Sequence, residues 1–186
     1  MAALKFVLIL IIGDFIKHVM MYNPMLTYTL RFKKASVQPK SFGNLTIDQY
    51  KGTQFLNGNF TIPSTSTITK IVGIFYRCDS EGINCEYFQT WTFTDLCSKM
   101  NQENQVWSRW YGSIHPPLVC PFDKIHYQMI NGTYDIGVVV ALYPLVTDYQ
   151  WRIIQKFYDN DTYISSIILE LIYFGYRKKI KFIPKL

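Results

Sequence analysis

Residues 26–33 set Leu26, Tyr28, Leu30 and Phe32 in strict alternation with Thr27, Thr29, Arg31 and Lys33. Successive side chains of a strand point to opposite faces, so this period of two calls for a strand with one buried and one wetted face. Such a strand needs an apolar layer to pack against. The rest of the chain offers more strands: Tyr and Phe number 14 and 13 among 186 residues, and flat rings pack well on a pleated surface. Strand-like stretches recur about every 8–12 residues, near Leu45 and Ile47, over 68–77, at Tyr87-Phe88, over 127–130, 134–142, 151–157 and 163–174. The pattern predicts a mainly all-β fold, a β-sandwich or β-cup of about seven or eight antiparallel strands with one short helix inserted.

The helix is expected over 94–111. Thr94 is a candidate cap and Asp95 suits the positive end of the helix dipole. Leu96, Met100, Val106, Trp107 and Trp110 share one side, Asn101 and Asn104 offer breaks, and His115-Pro116-Pro117 ends the run. Two Asn-Gly pairs stand out. Asn57-Gly58 reads either as a type I′ hairpin turn or as a bulge within one longer strand. Asn131-Gly132 is a second hairpin signal.

The first 22 residues read approximately as a signal peptide. Lys5 precedes an apolar run from Phe6 to Ile12, which is shorter than the roughly 20 residues a membrane span needs. A short buried helix or an uncleaved anchor is the competing reading. Residues 23–186 form one expected domain, with no repeat or long linker. Four cysteines allow three pairings, and we expect Cys78–Cys85 across a polar hairpin loop and Cys97–Cys120 tying the helix to the following strand. The sequons at Asn44, Asn59, Asn131 and Asn160 are expected glycosylation sites. Together these features predict a secreted, extracellular glycoprotein.

The formal charge of +6 gathers only at the C-terminus, on Arg177, Lys178, Lys179, Lys181 and Lys185, and reads as a solvated basic tail. No nucleic-acid motif accompanies it, so no nucleic-acid partner is expected. His18, His115 and His126 fall in no nucleophile or zinc pattern, and Ser113 is near His115 only in sequence. No catalytic residue, metal or cofactor is expected, and the chain is not expected to be an enzyme. The aromatic excess remains. The strand at 163–174 is apolar on both faces apart from Glu170, more than a one-sided sheet needs. An internal cavity for an apolar ligand would absorb the excess.

Thr90-Trp91-Thr92-Phe93-Thr94-Asp95-Leu96-Cys97, Cys120-Pro121-Phe122, His126-Tyr127, Asn131, Pro144 and Trp151-Arg152 resemble segments of the insect chemosensory protein families A and B. Those families are similar to the ganglioside activator protein and the ML lipid-recognition superfamily. The resemblance implies a β-cup or sandwich enclosing a lipid cavity. It also implies secretion from support cells of taste or pheromone-sensing bristles, and non-catalytic binding of a lipid or long-chain hydrocarbon pheromone. A membrane receptor is an implied second partner. With the resemblance and the period-two placement on the late strands, Val138, Val140, Trp151, Ile153, Ile168 and Ile172 are the expected cavity lining. A secreted receptor-docking module without a ligand is the alternative.

Overall fold

The computed structural model describes residues 26–62 and 64–177. The expected signal peptide and the basic residues from Lys178 onward lie outside them. Among the described residues, nine strands form two antiparallel sheets. One sheet comprises β1 (Thr27–Gln38), β4 (Lys70–Cys78), β5 (Glu86–Thr94), β8 (Gln150–Asp159) and β9 (Thr162–Tyr176), in the order β1-β9-β8-β4-β5. The other comprises β2 (Gly43–Tyr50), β3 (Thr53–Thr61), β6 (Ile114–His115) and β7 (His126–Gly132), in the order β2-β3-β7-β6. The expected all-β sandwich is therefore present. Its core joins Leu30, Phe32, Ile71, Trp151, Leu169 and Leu171 of the first sheet to Leu56, Tyr127 and Met129 of the second.

The alternation that opens the chain places Leu30 and Phe32 in the core. A register shift between Phe32 and Lys34 leaves Lys33 and Lys34 both exposed and turns Ala35 and Val37 inward. The extra residue of a bulge switches the face of everything after it. Asn57-Gly58 resolves to the bulge: both lie within β3, whose register against β7 shifts between Leu56 and Gly58. A Cβ at Gly58 would collide with the Asn44 carbonyl and the Leu45 side chain, so the close approach of β2 demands glycine there. The turn from β2 to β3 falls instead at Lys51-Gly52, both at positive φ (47° and 85°).

Two expectations are corrected. Residues 134–142 do not form a strand: Gly137–Leu142 is a short helix, here α3. Asn131-Gly132 ends β7 without a hairpin. Packing outweighs the β-propensity of the valines, since α3 sets Val140 in the core without exposure. The 94–111 helix is two pieces, α1 (Leu96–Lys99) and α2 (Ser108–Gly112), with Asn104 at φ 59° between them. Thr94 does not cap, because it pairs with Lys70 at the end of β5, and Asp95 takes the cap position without a side-chain bond.

Both disulfides form as expected. Cys78–Cys85 closes the loop between β4 and β5, and Cys97–Cys120 ties α1 to the segment before β7. No helix among the described residues is long and apolar enough to cross a membrane.

Candidate ligand-binding site

The sheets do not pack equally along their length. An apolar crevice of about 70 Å³ lies between them, bordered by Val37, Phe60, Tyr111, Phe157, Ser165 and Ile167. Leu96, Leu118 and Trp110 close it from the helical side. A wider cleft of about 790 Å³, lined by both polar and apolar side chains, opens where β1 begins and near the β2–β3 turn. The helix α2 divides the two: Trp110 and Tyr111 face the crevice, while Arg109 and Gly112 face the cleft. Tyr134, on the cleft side, stacks on Trp110 with ring centroids 4.7 Å apart.

None of the five expected lining residues whose side chains are described borders either space. Trp151 and Ile153 fill the packed core on the inner face of β8, and the Trp151 indole N–H donates to the Val146 carbonyl at 2.8 Å. Val140 is core on α3, and the Val138 side chain lies outside the described residues. Ile168 and Ile172 point the other way. Their register neighbours Leu169 and Leu171 are buried inside, so Ile168 falls on the outer face beside Ile154 and Ile74. Glu170 shares that outer face and pairs with Arg152 at 3.1 Å. The second apolar face of β9 therefore borders neither the crevice nor the cleft. A strand apolar on both sides carries no sign of which side is inward, and here the odd-numbered residues are.

No family model and no curated protein matches this chain. The site therefore rests on its own geometry. The crevice residues that pattern reading missed, Val37, Phe60, Phe157 and Ile167, do sit at period-two positions. The bulge at 32/34 in β1 shifts the parity that would have located Val37, whereas Phe157 and Ile167 keep the parity of Ile153 and Leu169.

Some polar groups around the sheets are engaged. Ser113 is buried and donates to the Trp110 carbonyl at 2.7 Å. His126 sits on the outer face of the smaller sheet, with Nδ1 3.2 Å from Thr61 Oγ1 and Nε2 3.3 Å from Asn59 Oδ1. Among the described residues, no group of three or more His, Cys, Asp or Glu is placed to hold a metal. The four sequon asparagines are exposed. Asn44 and Asn59 stand opposite one another across β2 and β3.

Proposed function

We propose that this chain is a secreted, glycosylated binding protein for an apolar ligand, and that it holds that ligand between its sheets without catalysis. The observation that carries this reading is the crevice, whose walls are apolar apart from the hydroxyls of Ser165 and Tyr111. Removal of apolar surface from water drives such binding at about 25 cal/mol per Å². The two disulfides favour an oxidising compartment. The resemblance to the insect chemosensory families supplies the ligand class, a lipid or long-chain pheromone, and a membrane receptor as partner.

Volume sets a condition. Ligand pockets generally measure about 300–1,000 Å³, and an engineered cavity of about 150 Å³ holds benzene. The crevice at about 70 Å³ admits only a chain end, while the cleft beside it falls in the ligand range. A long-chain ligand must part the Trp110–Tyr134 stack to occupy both.

The test is native mass spectrometry of the secreted protein with lipid extraction, together with uptake of a fluorescent apolar probe. A stoichiometric lipid or a saturable probe site is expected. A protein that carries no lipid and takes up no probe overturns the reading. It would favour a receptor-docking module instead, for which the outer-face row Ile74, Ile154 and Ile168 offers an apolar surface.

A further inference from the structure

Of the four sequon asparagines, only Asn131 lines the crevice or the cleft. It lines the cleft together with Thr133, the residue that completes its sequon. Asn44 and Asn59 stand on the outer face of the smaller sheet, and Asn160 lies in the β8–β9 turn. The local backbone sets Asn131 where it is. Ile130 and Asn131 together oppose Asn57, where the register of β7 against β3 shifts, and the extra residue is the mark of a bulge. Asn131 takes the left-handed conformation there, at φ 57°, which Asn tolerates better than most residues. Asn57 Oδ1 accepts from the Asn131 backbone N–H at 2.7 Å, and Asn57 Nδ2 in turn donates to the Asp48 carboxylate. The attachment point is thus fixed on the cleft wall while Asn131 stays exposed.

The rest of the wall is mixed. Thr27, Thr53, Arg109 and Asp135 bring donors and acceptors beside the rings of Phe55 and Tyr134. An alkyl chain laid along such a wall strips water from the polar groups and returns no hydrogen bond. A sugar ring has hydroxyl edges and C–H faces, so it meets both kinds of wall. Tethering adds to the fit. A group joined to the wall by one covalent bond is held at an effective concentration of about the millimolar range, so contacts too weak to bind a free sugar still seat it.

We propose that the N-glycan added at Asn131 lies in the cleft, with its innermost N-acetylglucosamine against the wall, and narrows this route to apolar molecules. This rests on the reading above of a secreted glycoprotein that binds an apolar ligand. The transfer itself is simple. Asn131 Nδ2 displaces the pyrophosphate from C1 of the first sugar of a lipid-pyrophosphate-linked oligosaccharide. The C1–O bond breaks, a C1–N bond forms, and one amide proton leaves with the lipid pyrophosphate. Glycan and apolar ligand then compete for the cleft, so modification of this one sequon sets how readily a ligand enters.

The experiment uses the full chain secreted from insect cells. The folded protein is digested with a peptide N-glycosidase while glycopeptide mass spectrometry follows each site. Release at Asn131 should run roughly tenfold slower than at Asn160, the factor that one or two hydrogen bonds to the cleft wall impose, and denaturation should abolish the difference. Binding of the apolar probe N-phenyl-1-naphthylamine is then compared among variants. Asn131→Gly, which keeps the positive φ, and Thr133→Ala each remove the sequon and should tighten probe binding by roughly three- to tenfold. Thr133→Ser keeps the sequon and should bind as the wild type does, and Asn160→Gln should change nothing. If Asn131→Gly does not fold, the Thr133 pair still decides. Equal release at the two sites, a bare Asn131 beside sugar on the other sequons, or sequon variants that bind the probe no better each overturn the proposal. Absence of sugar from all four sequons would overturn the glycoprotein reading along with it. Failure of the probe to bind any form would overturn the carrier reading, and the release rates would still decide where the glycan sits.

Discussion

Leu169 and Ile167 lie two residues apart on the same face of β9, yet they face different interiors. Leu169 has no exposed surface and sits between Ala35 and Ile153. Ile167 sits between Val37 and Gln155 and borders the crevice. The difference comes from what covers them. Strands of the smaller sheet lay regular side-chain rows over the middle of the larger one. Toward Ile167, β6 is only two residues long, and the irregular segment holding α1 and α2 supplies the cover through Leu96, Trp110 and Tyr111. Short helices present fewer and less regular knobs than a strand, so the layer does not close.

Truncation should separate the two positions most sharply. Leu169→Ala opens a void in a filled layer and should cost about 2–5 kcal/mol in urea unfolding. At Ile167 a void already exists, so Ile167→Ala should cost only about 1–2 kcal/mol, chiefly lost transfer free energy. The same change should alter probe binding, which Leu169→Ala should not do except by unfolding. Equal losses would mean that the crevice is packed in solution and that the two positions are alike.

The disulfides offer a second, somewhat smaller contrast. Cys97–Cys120 spans 23 residues and adjoins the crevice walls Leu96 and Leu118, while Cys78–Cys85 spans 7. Loop-closure entropy gives roughly 3.4 kcal/mol for the longer loop and roughly 2.4 kcal/mol for the shorter. The double variant Cys97→Ala/Cys120→Ala should therefore lose more stability and also change probe affinity. Cys78→Ala/Cys85→Ala should lower the melting temperature without touching affinity. An identical effect on affinity from both would show that the crevice wall does not depend on its own bridge.

Much of the frame was legible because it obeys local rules. The 26–33 alternation marked the core face of β1, and cysteines bracketing a polar loop marked the β4–β5 hairpin. The site was not legible, for three physical reasons. Ile168 and Ile172 belong to a strand apolar on both sides, and only the pairing with β1 and β8 decides which side is inward. Val138 and Val140 carry strong β-propensity but lie in a helix fixed by tertiary packing. Tyr134 reads as an ordinary sheet aromatic. Its stacking on Trp110 of α2 and its bond from Gln155 of β8 depend on distant parts of the chain converging.

Alkali should distinguish the two interiors without any mutation. Tyr111 borders the crevice, Tyr134 the cleft, and Tyr173 packs against the core; burial raises the folded values of all three above 10, Tyr173 to about 12. A raised folded value means that above pH 10 the unfolded chain has released protons the folded one still holds. Stability then falls as pH rises, by about 1.4 kcal/mol per unit for each such tyrosine, starting near 10 and ending for Tyr173 near 12. Below pH 10 both states are protonated and nothing changes. Phenolate absorbance should show a late fraction that appears together with loss of tertiary structure, and bound apolar ligand should delay it. Reversible titration of every tyrosine in the folded protein would place these three phenols in contact with water.

The smallest effect concerns two buried serines. Ser113 is buried beneath α2 and its hydroxyl donates to the Trp110 carbonyl at 2.7 Å. Ser165, also buried, borders the crevice, and its hydroxyl makes no hydrogen bond among the described residues. Removing a hydroxyl that is satisfied loses a net hydrogen bond, so Ser113→Ala should cost about 1 kcal/mol. The Ser165 hydroxyl is not among the fully buried polar atoms that lack a partner and borders the open crevice, so Ser165→Ala should be close to neutral. It should also make the crevice more apolar. If Ser165→Ala destabilises as much as Ser113→Ala, its hydroxyl has a partner in solution. Ordered water in the crevice would be the natural candidate, because about 70 Å³ has room for one or two molecules. A wet crevice would weaken the case for an apolar ligand there and shift the binding site toward the cleft.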